Sequence, residues 1–155
     1  MTQSYVNWFN DEEVIKFSDN QYKSFSLEEQ KSYVREMKKN ESVKLYGIFD
    51  SQQKHIGNVV LSGIGSIHNR AEITFVVGER DYWGKGVATN AVSKICNLAK
   101  TKFYLNKVSA DCAHLNEGSK SVLLKNGFKL EGIRKKHLYY GGVWMDQLDF
   151  GLFLK

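Results

Sequence analysis

Tyr82-Trp83-Gly84-Lys85-Gly86-Val87-Ala88-Thr89 is the stretch on which the reading of this chain turns. Two glycines bracket a lysine. An apolar run, residues 73–77, precedes them. After them Ala88, Ala91, Val92, Ile95, Ala99 and Phe103 repeat at helical spacing on one face. A strand, a glycine turn and a helix start in that order make a place to hold an anion, phosphate above all. The first N–H groups of a helix have no partners within it, and the helix dipole adds positive potential there.

Working outward, residues 71–78 read as the strand before the turn and 107–113 as the strand after the helix. Upstream, residues 43–49 and 55–61 form a hairpin about Asp50-Ser51-Gln52-Gln53, and 62–70 is a glycine-containing loop. Two helices come first. One runs over about residues 11–17, capped by Asn10 or Asp11. The other opens on Ser26-Leu27-Glu28-Glu29, a capping box in which hydroxyl and carboxylate satisfy each other's backbone donors. It continues through Leu27, Gln30, Val34 and Met37 to about Lys39. Downstream, Asn116 caps a short helix over roughly 119–125, and Gly127 ends it in the position that favours a left-handed conformation. Residues 128–137 and 143–153 close the chain as a hairpin about Gly141-Gly142. The order predicts an α/β (α+β) domain: a mixed, mostly antiparallel sheet of about six strands with helices on both faces.

A chain of 155 residues suffices for one domain with its own core, taken as residues 1–155. No apolar run approaches membrane-spanning length, and the first eight residues lack the charged start and apolar core of a signal peptide. The expectation is a cytoplasmic protein with no membrane partner. Cys96 falls on a helix stripe and Cys112 within a strand, so buried free thiols are expected rather than a disulfide framework. No Cys/His cluster has zinc spacing, and no metal is expected. A net charge of +5 permits an anionic ligand. The lysines are scattered, with short clusters only at Lys38-Lys39 and 134–136, so the charge reads as a solvated surface and not as a nucleic-acid site.

Three motifs carry a family resemblance: Tyr82-Trp83-Gly84-Lys85-Gly86-Val87-Ala88-Thr89; Asn116 through Ser119 to Lys125-Asn126-Gly127-Phe128; and Leu130-Glu131-Gly132 followed by Tyr140-Gly141-Gly142-Val143-Trp144-Met145-Asp146. In this order the chain resembles the GNAT superfamily of N-acetyltransferases, nearest to the branch holding ribosomal-protein alanine and nucleotide-aminosugar N-acetyltransferases. The resemblance implies the GNAT fold and acetyl-CoA as cosubstrate. It implies direct attack of a primary amine, on a small molecule or a peptide, upon the thioester.

The same resemblance assigns residues. Backbone N–H groups of Gly84, Lys85, Gly86, Val87, Ala88 and Thr89 take the pyrophosphate, with Trp83 where most members have Gln or Arg. The Lys85 charge either helps there or faces solvent. The main chain of Phe75, Val76 and Val77 pairs with the pantetheine arm, and backbone donors freed where the next strand splays away serve the thioester oxygen. Asn116 contacts the coenzyme or a catalytic water. Ser119 stands where the ribosomal-protein branch has a serine proposed to protonate the leaving thiolate. His114 occupies the place of a catalytic glutamate in some members, and Glu72 lies on the strand that supplies a base in others. Both are candidate bases, His114 being of a type that titrates near neutrality.

Two departures stand out. The tyrosine that many members place four residues before the Gly-Phe pair is Leu123 here, which keeps open a non-catalytic acyl-CoA-binding or interaction module on the same fold. The family's opening strand is missing or reduced; an uncovered edge favours a homodimer, and dimers are common in the family. The opening Trp8-Phe9-Asn10-Asp11 with Glu13-Val14 is most similar to aminosugar members, and Trp8, Tyr139, Tyr140 and Asp146 are candidate acceptor-pocket residues.

Overall fold

A computed structural model describes residues 3–154. Helix α1 (Gln3–Trp8) is followed by α2 (Glu12–Ile15), a 3-10 turn (Asp19–Tyr22) and α3 (Leu27–Lys39). Strands β1 (Val43–Phe49), β2 (His55–Ser62) and β3 (Arg70–Val77) lead into α4 (Val87–Thr101). Then come β4 (Lys107–Ala113), α5 (Glu117–Lys125), β5 (Lys129–Tyr140) and β6 (Val143–Phe153). The single sheet has the order β1-β2-β3-β4-β6-β5, antiparallel except between β3 and β4.

One face of the sheet packs against α4 and α5. Val59, Leu61, Ala71, Ile73, Val108, Ala110, Leu148 and Phe150 meet Val92, Ile95, Ala99 and Leu123 there, in the main core. Alternation along each strand puts every second residue on this face. Leu123 is wholly buried, and truncating such a side chain to alanine costs about 2–5 kcal/mol. Cys96 and Cys112 are buried free thiols, and burial pushes each up to about 11, which makes them poor nucleophiles.

Local rules account for most element ends. Ser26 and Glu29 form the capping box, and Asp11 caps α2 by accepting from the Glu13 N–H. Gly127 has φ +83° at the end of α5. Residues 3–22 differ from the expected single helix over 11–17. Two short helices and the 3-10 turn stand there, and among the described residues no strand precedes Val43. Helix α1 docks through Trp8, which is buried against Gly78 just past the end of β3. A β-carbon on Gly78 would come within 2.0 Å of the indole, so only glycine admits this approach. The indole N–H donates to Glu79 (2.8 Å), whose other oxygen receives Lys54 (2.6 Å).

Candidate active site

Strands β3 and β4 stay paired for only three residues, Arg70–Lys107 to Glu72–Ser109. Beyond Glu72 they part, and the β4-facing main chain of Ile73 to Val77 has no strand partner. Into this fork opens a cleft of about 1090 Å³. One wall is the C-terminal half of β3, the next the glycine turn and first turn of α4, the third the first turn of α5.

The glycine-turn end is built from main chain. Gly84 and Gly86 have φ of +71° and +77°, the left-handed region that glycine enters without strain. Open space lies where a β-carbon would sit on either. Gly86 is the N-cap of α4, so no side chain satisfies the first N–H groups, and the first turn carries no acidic residue. Unpartnered donors, positive dipole and open space together form an anion cradle. Tyr82 ties the turn to the β1–β2 loop by donating to Asp50 (2.5 Å), and the Trp83 indole donates to the Val77 carbonyl (2.7 Å). Asn126 holds the two helices together by donating to the Thr89 carbonyl (3.2 Å).

The other end is built from side chains. Glu72 and Asp111 share one sheet face. Burial, then the neighbouring Asp111 and Asp149, raises the Glu72 carboxyl; burial and Asp149 do the same to Asp111. Burial also acts upward on Asp149, but hydrogen bonds from Gln147 and Arg134 outweigh it and hold that carboxyl below its usual range. Gln30 is only 4% exposed and lines the cleft. Tyr5, Tyr33, Phe17 and Tyr140 complete the walls. Burial lifts Tyr5 to about 12, with Tyr33 adding to the effect. Tyr140 also rises by burial and by its bond to Asp19, to which it donates (3.0 Å). Both phenols therefore stay protonated. Among the described residues no arginine lines the cleft, and no group of three His, Cys, Asp or Glu is placed to hold a metal ion.

The candidate residues fall as follows. Glu72, Phe75, Val76, Val77, Trp83, Gly84, Gly86, Val87, Ala88, Thr89, Asn116 and Ser119 line this one cleft. Lys85 does not; it is exposed, with its ammonium 5.9 Å from the Tyr82 ring. His114 lies outside the lining too, and its Nδ1 accepts the Asp146 N–H (3.0 Å), which occupies the lone pair a base would use. Of the acceptor-pocket candidates only Tyr140 lines the cleft. Trp8 is packed on Gly78, Tyr139 meets Trp144 in a tilted pair with centroids 5.0 Å apart, and Asp146 holds a bulge in β5. Asp111, Gln30 and Tyr33 were not legible from spacing. The alternation of β4 marks Asp111 as facing away from the main core, but only the fork shows what that face lines.

Residues 2–129 match the family model of the acetyltransferase (GNAT) domain. The chain is 33% identical over 117 residues to the probable N-acetyltransferase YjcK of Bacillus subtilis (strain 168), covering 74% of this chain and 63% of that protein. To the putative ribosomal N-acetyltransferase YdaF of the same bacterium it is 30% identical over 96 residues, 62% of this chain and 52% of that protein. The chain thus spans between about half and two thirds of the length of these curated relatives. In fold it is similar to a spermidine N-acetyltransferase from Vibrio cholerae solved in complex with CoA and spermine. The TM-score is 0.86 at 19% identity, covering 98% of this chain and 89% of that one. A GNAT-family acetyltransferase from Bacillus anthracis gives 0.81 at 23% identity, covering 98% and 88%. At these identities the likeness is one of fold.

Proposed function

The chain belongs to the GNAT acetyltransferase family, and from that premise we propose that residues 1–155 act as one acetyl-CoA-dependent N-acetyltransferase domain whose acceptor is a cationic amine. The observation that carries the reading is the fork between β3 and β4 beside an uncapped glycine turn. It leaves the β4-facing main chain of β3 without a strand partner beyond Glu72, with only the Val77 carbonyl taken by the Trp83 indole, and an anion cradle at its end. An extended pantetheine arm pairs with the one and a pyrophosphate with the other.

Each residue has a task within that reading. N–H groups of residues 84–89 hold the pyrophosphate, and the backbone of Phe75 to Val77 aligns the arm and meets the charge that develops on the thioester oxygen. Trp83, anchored to the Val77 carbonyl, fixes the angle between strand and turn. The amine must lose a proton to attack, and an alkylamine with a pKa near ~10.4 is almost wholly protonated at pH 7. Glu72, raised by burial, is the proposed base, directly or through one water. Ser119 stands one turn before Leu123 on the same face of α5, and its hydroxyl serves the departing thiolate. A thiol pKa near ~8.5 makes that demand weak, so positioning supplies much of the rate. Asn116 caps α5 through the Ser119 N–H (3.1 Å) and lines the cleft beside it.

The acceptor follows from charge. The carboxylates of Glu72 and Asp111, the buried Gln30 amide and the protonated phenols suit an ammonium on a short apolar chain. A polyamine is the first acceptor to try, since the similar Vibrio cholerae enzyme was solved with spermine; a protein N-terminus is the second. The test is acetyl-CoA titration followed by CoA release with a panel of amines. Binding with no CoA release from any acceptor would favour the non-catalytic module, a reading that rests on Leu123 filling the core where many members carry a hydroxyl.

A further inference from the structure

His114 is bound to Asp146 twice. The His114 N–H donates to the Asp146 carbonyl (2.9 Å), and the Asp146 N–H donates to His114 Nδ1 (3.0 Å). The last register pair between β4 and β6 is Ala113–Gln147. The two bonds therefore add a rung beyond the strand end, with an imidazole nitrogen in place of a main-chain carbonyl. The chain then turns sharply. Asn116 donates to the Ala113 carbonyl (2.9 Å), and the Asn116 side chain caps α5 at Ser119. Asp146 is itself fixed from the far side. Its carboxylate accepts Lys135 (2.8 Å) and the Lys136 N–H (2.9 Å), which holds the three-residue bulge of β5 opposite it.

We infer that His114 is a positioning residue: its imidazole, accepting through Nδ1, anchors the turn that sets Asn116 and Ser119 against the coenzyme. This rests on the acetyl-CoA reading of the cleft. The Nδ1 lone pair is spent on a backbone donor and the ring stands outside the cleft, so His114 is not the base. Protonation at Nδ1 would set one N–H against another and break the rung. The charged groups at this rung are the Asp146 carboxylate on β6 and Lys135, paired to it from β5.

His114→Ala removes the acceptor. His114→Asn keeps an acceptor at the Nδ1 position but cannot titrate. Acetyl-CoA affinity is measured by calorimetry from about pH 8 to about pH 5, the span over which imidazoles change charge. Amide exchange at residues 114–119 and 146 is read in parallel. Losing one neutral hydrogen bond predicts about a five- to tenfold weaker affinity and faster exchange for His114→Ala. His114→Asn restores both to within about twofold, and its affinity is flat with pH where the native protein weakens on acidification. Unchanged affinity and exchange in His114→Ala overturn the inference. So does a His114→Asn protein that binds acetyl-CoA normally yet turns over as poorly as His114→Ala, since that assigns the proton to the imidazole. If the native protein binds no acetyl-CoA, the coenzyme reading fails while the exchange data still decide whether His114 anchors the turn.

Discussion

At the proposed coenzyme end of the cleft the molecule offers mainly main chain from one short piece of chain, residues 75–89, with Asn116 and Ser119 beside it. At the acceptor end it offers side chains from elements far apart: Tyr5 on α1, Gln30 and Tyr33 on α3, Glu72 on β3, Asp111 on β4 and Tyr140 on β5. A backbone-built site depends on φ and on empty space, and tolerates changes of side chain that disturb neither. A site built from side chains depends on charge and on the packing of every element that brings one. The first kind suits a ligand part common to many reactions. The second is where acceptors are told apart.

The comparison is broken most severely at Gly86. With φ of +77° it cannot take a side chain without strain of about 1–2 kcal/mol, and Asp adds repulsion to a phosphate. Gly86→Asp should weaken acetyl-CoA binding by about 100-fold or more at ~1.4 kcal/mol per tenfold, measured by calorimetry. Unchanged affinity would refute the cradle.

Glu72→Gln strikes the other end. As the base, Glu72 contributes on the order of 100-fold to kcat, so the variant should lose that while keeping acetyl-CoA affinity. A carboxyl raised by burial must be deprotonated to act. Native activity should therefore fall on acidification, beginning above the ordinary carboxylate pKa of ~4.3, and Glu72→Gln should lack that limb.

Asp111→Asn is expected to act more gently and in two directions. KM for a diamine should rise about five- to tenfold, ~1 kcal/mol, with kcat nearly unchanged. Stability runs the opposite way. A carboxyl raised in the folded state is better tolerated protonated, so its charge weakens the fold at neutral pH and the penalty fades as pH falls through the raised value. The variant should melt about 2 °C higher at pH 7. A lower melting point would assign Asp111 a structural bond instead.

Lys85→Ala should change acetyl-CoA affinity by less than about twofold, the value expected of an exposed charge; its ammonium stands over Tyr82 and not in the cleft. A larger loss would mean that the turn relies on a side chain after all.

Legibility followed the same division. The strands 43–49, 107–113 and 143–153 were read with the bounds the structure gives them, because alternation and turn residues are local. The capping box at Ser26 and the left-handed Gly127 were legible for the same reason. The opening was not. Helix α1 has no long stripe to announce it, and it is held by Trp8 closing on Gly78, seventy residues away in sequence. His114 shows how position in sequence can mislead. Its place near the strand end suggested a base, and only its bond to Asp146 shows the lone pair already spent.

The sequence by itself determined the order of elements, the core-facing alternation and the glycine turn that begins α4. All three follow from backbone sterics and from hydrogen bonds between near neighbours. Only the tertiary structure decided where β3 and β4 part, that Glu72 and Asp111 come to share one desolvated face, and that Gln30 lies buried in the cleft wall. Strand register and desolvation are properties of residues that meet across the sheet, and no local spacing encodes them.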